Sequence, residues 1–77
     1  MEKREVIRII DDLLIDLRIN NPTYATAFHV ANNPVISTIS TVLELNPCWF
    51  AKPIGSGEVV QFDIEKIEKV KLEVEIM

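Results

Sequence analysis

A chain of 77 residues has room for one domain, residues 1–77, and no second one. Eight Lys and Arg stand against twelve Asp and Glu, giving a net charge of -4. With 48% apolar residues the chain supports a packed core, which excludes intrinsic disorder. A single cysteine, Cys48, excludes an internal disulfide framework and a cysteine-rich zinc site. The longest uncharged run is rich in Ser, Thr and Asn, so no membrane span is expected. No basic-then-apolar-then-small pattern opens the chain, so no secretory leader is expected and a cytoplasmic setting follows.

The charges divide the chain into three. Residues 1–18 carry nine of the twenty charges and residues 52–77 carry ten, while Ile19 to Ala51 carry one, Glu44. A freely solvated surface mixes charges of both signs, so the neutral middle is expected to be core or interface. Three Asn-Pro steps, at Asn21-Pro22, Asn33-Pro34 and Asn46-Pro47, mark boundaries within it. Asn accepts turn and cap conformations, Pro fixes its own φ, and the residue before Pro is biased away from helix.

From Val6 to Ile19, nine of fourteen residues are Val, Ile or Leu. Val6, Ile10, Leu13 and Leu17 recur at helical spacing, with Glu5, Arg8, Asp12 and Asp16 opposite, which predicts an amphipathic helix from about Glu2 to Leu17. Ile7, Ile9 and Leu14 widen the apolar arc beyond what one buried face requires. The helix is therefore either sunk deeply between other elements or shared between the core and a second chain.

Pro22 to Asn32 fits two periods. Tyr24, Ala27, Phe28 and Ala31 make a helical face, and Tyr24, Thr26, Phe28 and Val30 alternate as in a strand; the alanines tip the balance to helix. Asn33 to Leu45 is ambiguous in the same way. Val35, Ile36, Ile39, Val42 and Leu43 form a helical stripe with Asn33 as cap and Pro34 first, yet the Val-Ile-Ser-Thr-Ile-Ser-Thr-Val run suits a strand. A helical pair is favoured slightly over strands.

The C-terminal third reads as an antiparallel sheet of about three strands. Trp49 to Ile54 is the first, Gly55-Ser56-Gly57 the turn, and Val59, Val60 and Phe62 the second. Asp63 to Lys66 turns into a third, where Val70, Leu72, Val74 and Ile76 alternate with Lys69, Lys71, Glu73 and Glu75. Pro53 donates no backbone hydrogen bond, so the first strand should lie at an edge. The fold class expected is α+β: an N-terminal amphipathic helix, a neutral middle and a C-terminal sheet.

With both ambiguous segments helical, residues 23–62 resemble a winged helix-turn-helix domain. The run Ala31-Asn32-Asn33-Pro34-Val35-Ile36-Ser37-Thr38-Ile39-Ser40-Thr41-Val42-Leu43 is similar to the turn and recognition helix of bacterial regulators, and Trp49 to Phe62 to the wing. The resemblance implies a dimeric transcriptional regulator that contacts DNA through Ser37, Thr38, Ser40, Thr41 and Lys52. The chain departs from the family in charge: the recognition-helix segment has no Lys or Arg and the wing has only Lys52, although phosphate contacts dominate DNA affinity.

No phosphate-binding glycine loop, paired catalytic carboxylates or zinc spacing is present, and a domain this small encloses little. His29 and Cys48 are far apart in sequence, and Asp11, Asp12 and Asp16 read as a solvated helix face rather than a cation site. A non-enzymatic role without cofactor or metal is expected. The preferred expectation is a small protein-interaction module, an inhibitor, adaptor or accessory factor. It would bind another protein through Tyr24, Phe28, Trp49 and Phe50, because aromatic residues in a charge-poor surround make interface anchors. A domain of this size buries only about 60–65% of its unfolded surface, so self-association as a homodimer or larger is expected as well. The N-terminal helix and the neutral middle are the candidate surfaces.

Overall fold

A computed structural model describes residues 2–55 and 58–77. Helix α1 spans Lys3–Ile19, α2 Ala27–Ala31 and α3 Pro34–Leu43; a 3-10 helix spans Pro47–Phe50; strands β1 (Ala51–Pro53) and β2 (Val60–Phe62) follow; helix α4 spans Ile64–Ile76. Ser56 and Gly57 of the expected glycine turn lie outside the described residues.

Helix α1 buries Val6, Ile10, Leu13, Leu14 and Leu17, so the stripe read from the sequence is the buried one. Its ends suit the helix dipole, with Glu5 in the first turn and Arg18 in the last. The Asn21-Pro22 step lies just beyond its C-cap, Asn20, which is extended. Of the residues that widen the apolar arc, Leu14 is buried and Ile7 and Ile9 are half-buried, while Ile15 and Ile19 face outward.

Segment two resolves into both of its readings, in turn. Tyr24 exchanges a pair of 2.8 Å backbone hydrogen bonds with Val60, as an isolated strand bridge, and helix α2 begins three residues later. Segment three is helical. The Asn33 side chain accepts from the Val35 and Ile36 amides at 2.9 and 3.3 Å, Pro34 occupies the first turn, and Ile36 and Ile39 are buried. The hydroxyls of Thr38 and Thr41 donate to the carbonyls of Pro34 and Ser37, each at 2.9 Å. That back-bonding lets a β-branched, hydroxyl-rich run sit in a helix.

Glu44 ends α3 in the left-handed region, at φ 56 and ψ 44. The Leu45 amide donates to the Ser40 carbonyl at 2.8 Å and the Glu44 amide to Thr41 at 3.4 Å. This is a Schellman closure with glutamate where glycine is favoured. The third Asn-Pro step opens the 3-10 helix, where Asn46 Oδ1 accepts from the Cys48 amide at 2.9 Å. Trp49 and Phe50 therefore lie in a helical turn, and the expected strand from Trp49 to Ile54 shrinks to Ala51–Pro53.

The hairpin pairs Ala51 with Phe62, Lys52 with Gln61 and Pro53 with Val60, antiparallel. With the Tyr24 bridge on the far side of β2, β1 is an edge strand, as Pro53 requires. Asn21 fastens this corner: its Nδ2 donates to the Phe62 carbonyl at 3.0 Å, and Gln61 Nε2 donates to its carbonyl at 2.8 Å.

The third strand of the expected sheet does not form. Residues 64–76 are a helix, capped by the Asp63 side chain accepting from the Lys66 amide at 3.1 Å. Ile67, Val70 and Val74 are buried, with Ile64 packed against the core. Val70 and Val74 satisfy both the alternating and the helical period, whereas Leu72 and Ile76 satisfy only the first and are exposed at 61% and 85%. Helix α4 lies antiparallel to α1. Lys3 Nζ donates to the Met77 carbonyl at 2.8 Å, Lys71 pairs with Asp11, and Arg18 approaches Glu68 at 3.6 Å. The core joins these two helices to Val30, Ile36, Ile39, Phe50 and Phe62.

Two stability effects follow. Glu44→Gly should raise stability by about 1 kcal/mol, because glycine adopts the left-handed conformation without the penalty of a Cβ; urea unfolding with unchanged m-value checks it. The Asp11 hydrogen bond holds the Lys71 ammonium pKa above its ordinary 10.5. The pair's stabilisation is therefore complete below that ordinary value and lost as pH rises through the raised one. The stability gap between wild type and Asp11→Asn should be constant in the neutral range and close in strong alkali.

Candidate interaction surface

The four aromatic candidates fall into different environments. Phe28 stands on the outer side of α2, 71% exposed, one residue from exposed His29. Helix α2 is too short to turn both faces inward, so burying Val30 turns Phe28 out. Trp49 is 36% exposed. It packs edge-on against Phe50 at 5.1 Å, and the Lys66 ammonium lies 4.6 Å from its ring centroid while donating to its carbonyl at 3.1 Å. This contact ties the start of α4 to the 3-10 helix as a cation–π interaction. Tyr24 is half-buried between Phe62, edge-on, and His29, stacked, each at 5.8 Å. Phe50 is wholly buried and belongs to the core, not to a surface. The structure thus leaves Phe28 most open, Trp49 partly so, and gives Tyr24 and Phe50 structural work.

The residues expected to touch DNA are also scattered in environment. Ser37 and Thr41 are exposed on α3, Thr38 is half-buried, and Lys52 is exposed on β1. Ser40 is 4% exposed and its hydroxyl has no hydrogen-bond partner among the described residues, so it cannot meet a macromolecule. The Thr38 and Thr41 hydroxyl protons already go to helix carbonyls. What those side chains present outward is lone pairs, the wrong polarity for phosphate oxygens. Helix α3 carries no charge along its length.

Thr26 Oγ1 lies 3.3 Å from His29 Nδ1, and Cys48 is a free, half-buried thiol. Among the described residues no three His, Cys, Asp or Glu side chains gather as a metal-binding group, and no helix is long and apolar enough to cross a membrane. Of the three N-terminal aspartates, Asp11 is paired with Lys71, while Asp12 and Asp16 are exposed.

Further exposed apolar side chains were hidden in the sequence. Leu72 and Ile76 project from α4, with Ile15 from α1. A shallow groove between the two helices is lined by Leu14, Arg18, Glu68, Lys71, Leu72 and Glu75. The α4 part was masked because alternation placed Leu72 and Ile76 on the same face as Val70 and Val74.

No protein-family model matches the chain, and neither a curated protein nor a solved structure is significantly similar to it.

The unpartnered Ser40 hydroxyl gives a direct check on its assignment to the interior. Ser40→Ala should stabilise the fold by about 1 kcal/mol, since it removes an unsatisfied buried polar group and improves helix propensity. A rise of about 4–8 °C in Tm is expected for a domain of this size.

Proposed function

We propose that this chain is a small non-enzymatic protein-interaction module that self-associates and docks a further protein through the α2 surface. The observation that carries the reading is Phe28, a large aromatic side chain 71% exposed in a stretch whose one formal charge is Glu44. Desolvating such a surface removes apolar area from water without stripping ions of their hydration. An aromatic ring in that setting has the chemistry of an interface anchor.

A second reading has one observation in its favour. The order of α1, the Tyr24 bridge, α2, α3, the β1–β2 hairpin and α4, with β2 between Tyr24 and β1, supports a winged helix-turn-helix arrangement. That arrangement would place α3 and the hairpin on duplex DNA, with Ser37 and Lys52 as the contacts. Charge argues the other way: α3 is neutral and the chain is net acidic, while duplex affinity rests on cations meeting phosphates. On the interaction reading such a scaffold has its recognition face turned to protein.

The two readings separate by experiment. Anisotropy of a labelled generic duplex should not change at low salt on addition of the chain; salt-sensitive binding whose slope falls in Lys52→Gln installs the DNA reading instead. Phe28→Ser should leave unfolding stability within about 0.5 kcal/mol, as exposed substitutions do. The same variant should lose a protein that the wild-type chain retains in side-by-side affinity capture. Identical retention by both chains removes Phe28 from the mechanism.

A further inference from the structure

We propose that a second copy of this chain docks on the outer face of α4, antiparallel, with the two-fold axis midway between Lys69 and Glu73. The inference deepens the self-association in the reading above and moves it to a surface that reading does not use. Exposed Glu65, Lys69, Leu72, Glu73 and Ile76 follow the 3.6-residue period along α4 and so share one side of it, opposite buried Ile67, Val70 and Val74. Leu72 and Ile76 are exposed at 61% and 85%.

The charges of α4 fall into two groups. On the flank toward α1, Glu68 meets Arg18 and Lys71 meets Asp11 and Glu75. On the other flank, Lys69 and Glu73 are exposed and enter no ion pair among the described residues. Their order decides what fits there. In a parallel two-fold pair of α4 helices the flank of Lys69 and Glu73 would face the partner's opposite flank, where Glu68, Lys71 and Glu75 are already engaged in ion pairs. In an antiparallel pair, each Lys69 faces Glu73 of the second copy, twice over, and the two Leu72 side chains meet near the axis. A two-fold interface must be complementary to itself, and the antiparallel sense is the one that sets these two unpaired charges against each other. Unpaired opposite charges beside exposed Leu72 and Ile76 supply both the apolar centre and the charged rim that a specific contact uses.

The experiment is sedimentation equilibrium of the full chain across a concentration series. Wild type should reach twice the 8.8 kDa monomer mass, and Leu72→Glu should sediment as monomer with unchanged far-ultraviolet circular dichroism. Lys69→Glu and Glu73→Lys should each weaken the dimer by about tenfold, and the double exchange should recover it, since each altered charge then meets its opposite again. Full recovery distinguishes a cross-subunit pair from damage to folding. A wild-type monomer at millimolar concentration overturns both this interface and self-association. A Leu72→Glu chain that stays dimeric overturns the α4 face alone and leaves self-association standing. Single exchanges without effect, or a double exchange that does not recover, overturn the antiparallel pairing.

Discussion

The packing of α4 against α1 holds the rest of the chain in place. Val6, Ile10, Leu13, Leu14 and Leu17 on one side and Ile67, Val70 and Val74 on the other come from opposite ends of the sequence. Each buried side chain of this kind contributes about 1.5–3 kcal/mol of transfer free energy, and the sum must exceed the entropy of ordering everything between. The short elements in the middle have little stability of their own. A helix of five residues and strands of three persist because Val30, Phe50 and Phe62 join the same core cluster as that helical pair.

Charge and neutrality are divided accordingly. The two long helices use ions to fix their relative direction, with Arg18, Asp11 and Lys3 meeting Glu68, Lys71 and the last carbonyl. These pairs are largely exposed and add little stability, but they favour one antiparallel register over its neighbours. The middle sets its register with amides instead. Asn33 and Asn46 each cap a helical turn, and Asn21 bonds across the hairpin corner, so the neutral stretch is ordered without formal charge. That leaves its outward side chains available for contacts that need desolvation.

The parts legible in the sequence were those with one dominant period or one stereochemical constraint. Helix α1 carries too many apolar residues at helical spacing to be anything else, the three Asn-Pro steps sit at real boundaries, and Pro53 confines β1 to an edge. Helix α4 was illegible because Val70 and Val74, four residues apart, satisfy strand and helix alike, and the interleaved Lys and Glu completed a false alternation. The spacing of Ile64, Ile67, Val70 and Val74 behind an Asp63 cap carried the competing signal. At the candidate site the scarcity of charge was readable, but the fate of each aromatic was not. Phe28 and Phe50 are the same residue type in the same neutral stretch, and only tertiary packing sends one outward and the other into the core.

The rim of the hairpin has a consequence for what can attach to it. Strand β1 is three residues long and ends on a residue without an amide proton, so its open side offers almost no ladder for an incoming backbone. Growth by strand addition, the route to fibrils and exchanged hairpins, is closed off at that margin. A contact at that margin has to be made through side chains, where shape and sign can be selective.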